Sequence, residues 1–148
     1  MNPIVSGLIV LATFIFMEFV AWFTHKFVMH GFLWSLHRDH HQVTGKIFQL
    51  NDFFFIIFAV PSMILILFGT YGPHQWPLFI GLGILLYGLA YFFVHEIIIH
   101  QRIRLFRYTK NPYFVGLRKA HKAHHKKQEK EEGLCFGMLA VPFKYFKI

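Results

Sequence analysis

Histidine is the residue whose spacing in this 148-residue chain points most directly to chemistry. Ten of the eleven histidines form two repeats, and each repeat reads His-x4-His followed by His-x2-His-His. The two repeats consist of His25, His30, His37, His40 and His41, and of His95, His100, His121, His124 and His125. Imidazole binds iron, zinc, copper and nickel, so the doubled set predicts two metal ions held side by side. Only His74 lies outside the pattern.

The two kinds of histidine box make different demands on a helix. Residues i, i+3 and i+4 share one helical face, so each His-x2-His-His box is expected to direct three imidazoles the same way. Residues five apart diverge by roughly 140° on a regular α-helix. The two histidines of a His-x4-His pair therefore serve different metals, or the helix ends or is distorted between them. We predict π-type distortion at 25–30 and 95–100.

Carboxylates near the boxes are candidates to support the metal ligands. Asp39 and Glu96, inside boxes, and Asp52 can each accept an imidazole N–H and fix the orientation of the ring. Glu18 lies in an apolar run, on the helical face of His25 but roughly 10 Å from it along the axis. We interpret Glu18 as a pocket group or a support for a ligand; the alternative is a protonated side chain hydrogen-bonded between helices.

Three long apolar runs, at about 4–24, 53–70 and 78–99, predict an all-α integral membrane protein. Runs of roughly 20 residues, at about 1.5 Å per residue, cross a hydrocarbon core of about 30 Å. The composition, 55% hydrophobic and 20% aromatic, is too apolar for an ordinary soluble domain. We expect residues 1–148 to form a single membrane-embedded domain that carries its histidine boxes at 25–41 and 95–125.

The positive charges predict the orientation in the membrane. All fifteen Lys and Arg residues lie in 26–50, 101–130 or the extreme C-terminus. Since such residues concentrate on the cytoplasmic side, every histidine box is expected to face the cytoplasm from a bacterial inner membrane. The net charge of +8 is then explained by basic clusters beside membrane spans, and no nucleic-acid partner is expected.

The connecting segments predict shorter elements around the spans. Asn51 or Asp52 can cap the second span, and Asn111-Pro112 can start a cytoplasmic helix that runs to about residue 130. Residues 101–110 mix apolar and basic side chains as an interfacial helix does. The apolar stretch 134–143 is too short to span a membrane and favours an interfacial or re-entrant segment.

Four stretches that contain or follow the boxes carry a family resemblance: AWFTHKFVMHGFLWSLHRDHH (21–41), VHEIIIHQR (94–102), RKAHKAHH (118–125) and CFGML (135–139). They resemble the fatty acid hydroxylase superfamily of membrane di-iron oxygenases, and in particular the bacterial β-carotene hydroxylases. Glu96 departs from the pattern, where Asp is more usual. The resemblance implies that the ten histidines bind two non-haem iron ions, which zinc can replace, with O2 as co-substrate.

The resemblance also implies a reaction. This is hydroxylation of the β-ionone ring at carbon 3, which converts a lipid-dissolved carotenoid, β-carotene, through β-cryptoxanthin to zeaxanthin. Reduced ferredoxin is the implied electron donor, and a basic surface between Arg102 and Lys130 can steer such an acidic partner.

Other readings remain open at this point. The same di-metal site could serve a fatty acid or sterol hydroxylase, a desaturase or a carotene ketolase. A different class of protein, a non-enzymatic metal protein or haem protein of the membrane, is a further alternative. It is disfavoured because ligands for transport or haem are expected deeper within the spans.

Overall fold

The computed structural model of the chain describes residues 1–42, 48–126, 130 and 133–147. Three helices are long and apolar enough to cross a membrane: Pro3–Phe32, Leu50–Tyr71 and Trp76–Ile99. The described residues form helices, turns and irregular segments, and no strand. The prediction of an all-α protein with three long apolar spans is confirmed.

The first span consists of two kinds of helix. Helix α1 (Pro3–Phe23) begins at a cap in which the side chain of Asn2 accepts the N–H of Ile4 at 2.8 Å, and Pro3 occupies its first turn. It continues as a π-helix, π1 (Thr24–Phe32), within which Gly31 departs from helical geometry at φ −101° and ψ −124°. This break redirects the chain into α2 (Trp34–His41), which carries the box at 37–41.

The second and third spans form an antiparallel pair. A 3-10 turn (Leu50–Asp52) leads into α3 (Phe53–Tyr71), and α4 (Trp76–Phe92) returns and continues as a second π-helix, π2 (Phe93–Ile99). Asp52 caps the span one turn earlier than α3: its carboxylate accepts the N–H of Gln49 at 3.0 Å in a capping box at the 3-10 turn and makes no cap bond to α3. The carboxylate therefore belongs to the turn before the helix.

Helix α4 packs against both other spans, and two glycines permit the close approach. A Cβ at Gly81 would lie 2.8 Å from the Ser62 carbonyl oxygen of α3, and one at Gly83 would lie 2.6 Å from Thr13 Cβ of α1. Only glycine fits such contacts without displacing a neighbour, so these two residues set the interhelical distances. Many large apolar side chains on the outer faces of the spans are exposed, as expected of surfaces that contact lipid.

The segment after π2 differs from the prediction. Residues 101–110 form turns and bends instead of an interfacial helix. Gln101 adopts a positive φ of 56°, which an α-helix does not allow, and the Arg118 guanidinium binds the carbonyl oxygens of Phe106 and Arg107 at 2.7 and 3.2 Å. Side-chain hydrogen bonds to these two carbonyls thus take the place of helical ones.

The last α-helix of the described residues carries the remaining histidine box. Helix α5 (Pro112–His125) begins as predicted, because the Asn111 side chain accepts the N–H groups of Tyr113 and Phe114. It ends at His125; the rest of the predicted helix includes 127–129, which lie outside the described residues.

The irregular segment 133–141, here called the C-terminal strap, returns to the centre of the protein. Its Met138 packs with Val94 of π2 and Leu117 of α5 in the small hydrophobic core. The strap also contacts the histidine boxes, so the apolar stretch predicted to be interfacial or re-entrant covers the candidate site.

Candidate metal centre

The fold brings the histidine boxes together in two adjacent groups. The members of the first group are His25, His30, His37, His41 and His124; those of the second are His40, His95, His100 and His121. Within each group the candidate ligand atoms all lie within 4.8 Å of one another. His125 joins the second group through its Nε2, 2.8 Å from that of His121, while its ring lies 4.6 Å from the His41 ring. His74 lies in the exposed turn between α3 and α4.

Each triplet box is divided between the two groups. In α2, His37 and His41 belong to the first group and His40 to the second. In α5 the division is reversed: His121 and His125 lie with the second group and His124 with the first. Each triplet shares a helical face as predicted. However, its i+3 member, His40 or His124, lies in a different group from the other two histidines of the triplet. The two groups are therefore interlocked, and each contains histidines from both repeats.

The predicted π-type distortion is confirmed at both His-x4-His pairs. His25 and His30 lie in π1, and the N–H of His100 donates to the carbonyl oxygen of His95 at 2.9 Å. This i to i−5 bond is the defining bond of a π-helix, and it brings residues five apart onto one face. Both members of each pair consequently belong to a single group.

The nitrogen geometry fits metal binding. Nε2 of His37 lies 3.2 Å from that of His25 and 3.1 Å from that of His41. In the second group, the Nε2 atoms of His95 and His40 are 3.1 Å apart. Nitrogens bound at about 2.1 Å to one ion and about 90° apart are about 3.0 Å from each other. Convergent lone pairs at this spacing are what a bound cation requires.

Backbone carbonyl oxygens orient three of the imidazole rings through the Nδ1 atoms, which lie opposite the Nε2 atoms. The Nδ1 of His25 lies 3.1 Å from the carbonyl oxygen of Phe136, and that of His124 lies 2.8 Å from the carbonyl oxygen of Leu134. The Nδ1 of His30 likewise lies 3.1 Å from the carbonyl oxygen of Lys130. An imidazole that donates from Nδ1 presents the Nε2 lone pair to a metal, so these carbonyls set the tautomer as well as the orientation.

Side chains fix three further rings. His37 Nδ1 donates to the Asn51 amide oxygen at 2.7 Å, and His40 Nδ1 to the Gln49 amide oxygen at 3.0 Å. His95 Nδ1 lies 2.6 Å from Glu96 Oε1, so Glu96 is placed as expected for a carboxylate that orients a ligand. Sequence reasoning missed Gln49 and considered Asn51 only as a helix cap, although polar residues before an apolar run were visible.

Arg102 contacts both side chains that accept hydrogen bonds from histidines of the second group, Glu96 and Gln49. Its Nε lies 2.7 Å from Glu96 Oε2, and its terminal nitrogens contact Asp52 at 3.2 Å and the Gln49 amide oxygen at 2.9 Å. Glu96 orients His95 and Gln49 orients His40. Arg102 is thus an exposed residue whose charge is paired within the protein, and Asp52 pairs with this guanidinium instead of an imidazole.

Asp39 does not take the role expected of it. Its carboxylate accepts the N–H of Leu50 at 2.6 Å and none of its described contacts is to an imidazole. Asp39 is two residues after His37, about 200° around α2, and so points away from the ligand face. It fastens α2 to the turn that holds Gln49 and Asn51.

Burial keeps five imidazoles of the two histidine groups, all of them outside the spans, neutral. It lowers the pKa of His37 to about 2 and the pKa values of His124 and His125 to about 3, and neighbouring imidazoles add to the effect. It also lowers the pKa values of His40 and His121 well below their ordinary range. A metal ligand must be deprotonated, so the site is ready to bind a cation at neutral pH.

An apolar cavity of about 310 Å³ opens beside the first group. Aromatic and aliphatic side chains of α1, α3 and α4 form most of its wall, with Phe136 and Met138 of the strap. His25 of the first group lines it directly, and so does Glu96, the carboxylate that contacts His95 of the second group. A cavity of this size and character accommodates a hydrophobic ring next to the metal centre.

Glu18 lies between helix α4 and the strap. Its Oε1 accepts the N–H groups of Met138, Leu139 and Ala140 at 2.9, 3.0 and 2.9 Å, and its Oε2 accepts the Tyr87 hydroxyl at 2.7 Å. The carboxylate is thus an acceptor from helix α4 and the strap, and it touches no histidine among its described contacts.

Comparison with known proteins agrees with this geometry. The fatty acid hydroxylase family matches residues 10–144. The chain is 42% identical to a beta-carotene hydroxylase of Pantoea ananas, over 93% of this chain and 78% of that protein. It is 40% identical to a beta-carotene hydroxylase of Pseudescherichia vulneris, over 92% and 77%. No solved structure matches the chain.

A plant relative extends the comparison. The chain is 36% identical to a chloroplastic beta-carotene 3-hydroxylase of Gentiana lutea, over 85% of this chain and 40% of that protein. The resemblance found around the histidine boxes is confirmed over most of the sequence. With its paired histidine groups and three apolar spans, the chain belongs to the fatty acid hydroxylase family, together with the beta-carotene hydroxylases.

Proposed function

We propose that this protein hydroxylates the β-ionone ring of carotenoids at carbon 3, converting β-carotene through β-cryptoxanthin to zeaxanthin. The observation that carries the proposal is the apolar cavity lined by His25, next to two interlocked histidine groups. The names of the relatives support the substrate, and the plant relative's name supports the position. We further propose that residues 1–148 act as one catalytic domain.

We propose that each histidine group holds one non-haem iron ion. The Nε2 atoms of the ten histidines would be the ligands, with His125 in the second group. When bound, a reduced iron pair supplies the O2-dependent chemistry that inserts one oxygen atom into an unactivated ring C–H bond. Zinc can occupy such a histidine site in place of iron.

The cavity supplies binding and orientation. Tyr91 stacks on the His95 ring at 5.1 Å and lines the cavity, and Phe54 lies buried on the opposite helix. Such walls would contact the ring mainly through apolar and aromatic surface and would help to exclude water from the reacting carbon. Because His25 lines the same cavity, the ring is held beside the first histidine group.

The substrate is expected to enter sideways from the bilayer. Phe55 of α3 and Phe92 of α4 line the cavity, yet 60% and 43% of their surfaces are exposed on the outer faces of their helices. An opening between these helices would leave the rest of a long, water-insoluble carotenoid in the lipid while one ring occupies the cavity.

We place the site at the cytoplasmic face of a bacterial inner membrane and assign reduced ferredoxin as the electron donor. The positive-inside rule supports the orientation. Exposed Arg104, Arg107 and Lys122 supply a basic surface near α5 that suits an acidic donor. We do not assign Arg102 to the donor-binding surface, because its charge is paired with Asp52 and Glu96.

Pigment analysis in a host that accumulates β-carotene tests the proposal. Expression of the chain should yield β-cryptoxanthin and zeaxanthin; a His37→Ala variant should leave β-carotene unchanged; and His74→Ala, altered outside the site, should behave as the parent. Unchanged β-carotene beside hydroxylated lipid, a ketocarotenoid or a desaturated product would contradict the assignment and favour the corresponding enzyme class.

A further inference from the structure

The C-terminal strap contributes both to the metal centre and to the cavity. The carbonyl oxygens of Phe136 and Leu134 accept from His25 and His124 of the first group, and the side chains of Phe136 and Met138 form cavity wall. The strap contains no regular helix that would hold these groups in register. Their positions must therefore be fixed by contacts from outside the strap.

Glu18 of α1 accepts three of the strap's backbone N–H groups. Three consecutive backbone N–H groups, those of Met138, Leu139 and Ala140, converge on its carboxylate at 2.9 to 3.0 Å. Convergent backbone N–H groups form an anion-binding nest, so the carboxylate and the strap are chemically complementary. The Tyr87 hydroxyl holds the other carboxylate oxygen at 2.7 Å and fixes the side chain from α4.

Gly137 makes the nest possible. A Cβ at this position would overlap the carbonyl oxygen of Ala140 and lie 3.4 Å from Glu18 Oε1. The tight turn that aims the amides at Glu18 therefore needs glycine. From the far side, the Tyr113 hydroxyl of α5 donates to the Leu139 carbonyl oxygen at 2.6 Å.

We propose that Glu18 is a positioning residue of the metal centre. Its carboxylate clamps the C-terminal strap over the first histidine group and so keeps the Phe136 and Leu134 carbonyl oxygens on the imidazoles of His25 and His124. Glu18 touches none of the ligands and acts through the strap, about 120 residues further along the chain. The consequence for iron retention rests on the proposed di-iron function, whereas the clamp itself does not.

Cys135 provides a direct probe of the clamp. It is the only cysteine of the chain, it lies in the strap, and its thiol is partly buried 3.2 Å from the Tyr145 hydroxyl. Alkylation by N-ethylmaleimide in the detergent-solubilised full chain, followed by intact mass, therefore reports how often the strap opens. Ser62→Ala is the matched control, because it removes a buried bond from α3 to the Gly81 carbonyl oxygen without touching the strap.

Glu18→Ala should raise the alkylation rate at least about tenfold, and Gly137→Ala should do the same from the strap side. Glu18→Gln keeps an acceptor oxygen and should stay closer to the parent than Glu18→Ala, while Ser62→Ala should match the parent. A parental rate in both Glu18→Ala and Gly137→Ala, or an equal rise in Ser62→Ala, would overturn the clamp. If Glu18→Ala does not fold, the Gly137→Ala and Glu18→Gln rates decide.

Iron retention against a chelator supplies the second readout. Glu18→Ala should lose iron from one site roughly 10-fold faster than the parent, since the carbonyls that orient two ligands are no longer held. Equal loss rates beside accelerated alkylation would show that the strap does not position the ligands and would overturn the positioning role. A parent chain that binds no iron would refute the proposed function and leave the alkylation result to decide the clamp.

Discussion

His37 donates from Nδ1 to the amide oxygen of Asn51 across 2.7 Å, and both side chains are buried. His37 is central to the first group, because its Nε2 faces those of both His25 and His41. One neutral amide therefore fixes the tautomer and angle of the imidazole around which the first group is arranged.

Replacing this amide should weaken metal binding. Asn51→Leu keeps a side chain of similar size but removes the acceptor, so we expect iron affinity at one site to fall roughly 10- to 100-fold. Iron content after dialysis against a graded series of chelator concentrations measures this. Ser62→Ala, another buried polar position, should retain iron like the parent, and equal retention by Asn51→Leu would contradict the role of the amide.

Arg102 should matter more than its exposed position suggests. Its guanidinium pairs with Glu96, whose side chain is only 11% exposed, and contacts Gln49. Arg102→Ala leaves the buried carboxylate without its cation and should release iron from the second group. Arg104→Ala, two residues away and exposed, is the matched control for charge. Iron analysis that shows the same content in both variants would refute this network.

The sequence predicts much of the site and little of its support. Box spacing was sufficient to predict that these histidines are brought together and that the chain forms π-helices at the His-x4-His pairs, because helical geometry follows from rotation per residue. The exchange of His40 and His124 between the groups was not predictable, because it depends on how α2 and α5 pack face to face. Gln49, Asn51 and the strap carbonyls were missed for a related reason: their partners are brought close only by the tertiary fold.

For the fold, too, features that depend on local sequence pattern were predicted, and features that depend on tertiary contacts were missed. Apolar runs gave the three spans, and Asn111-Pro112 gave the start of α5. The interfacial helix at 101–110 was predicted wrongly because the pattern of apolar and basic residues carries no sign of the positive φ at Gln101 or of the Arg118 guanidinium that binds nearby carbonyls. In this segment the hydrogen bonds from the Arg118 side chain replaced the helical hydrogen bonds that the local pattern predicted.

Filling the cavity should impair the reaction without disturbing the metals. Gly88 lines the cavity, and a Cβ there would meet nothing within 4 Å, so Gly88→Leu can be accommodated by projecting into the space proposed for the ring. We expect zeaxanthin formation to fall at least about tenfold, with iron content unchanged. Gly7→Leu, on α1 and equally unobstructed, is the control. Parental activity in Gly88→Leu would place the substrate elsewhere.

Acid should destabilise the metal-free chain. Burial holds the pKa of His37 at about 2 and those of His124 and His125 at about 3, below the ordinary value of 6.5. Between these values the unfolded chain takes up protons and the folded chain does not. Stability is therefore present above about pH 6.5 and is lost as the pH falls, by at most about 1.4 kcal/mol per histidine per pH unit. Thermal unfolding in detergent should show a lower midpoint temperature at pH 5 than at pH 7. Equal midpoints would contradict the burial of these histidines in their neutral form.

Iron stoichiometry in two double variants tests the interlocked di-iron centre most directly. His37→Ala/His124→Ala removes two ligands of the first group, from different helices, whereas His37→Ala/His40→Ala removes one ligand from each group, three residues apart on α2. The parent and His74→Ala should bind two iron ions per chain, one for each histidine group. His37→Ala/His124→Ala should keep the iron of the second group, and His37→Ala/His40→Ala should lose iron from both. Equal iron content in the two double variants, or iron loss that follows the sequence repeats instead of the spatial groups, would contradict the account.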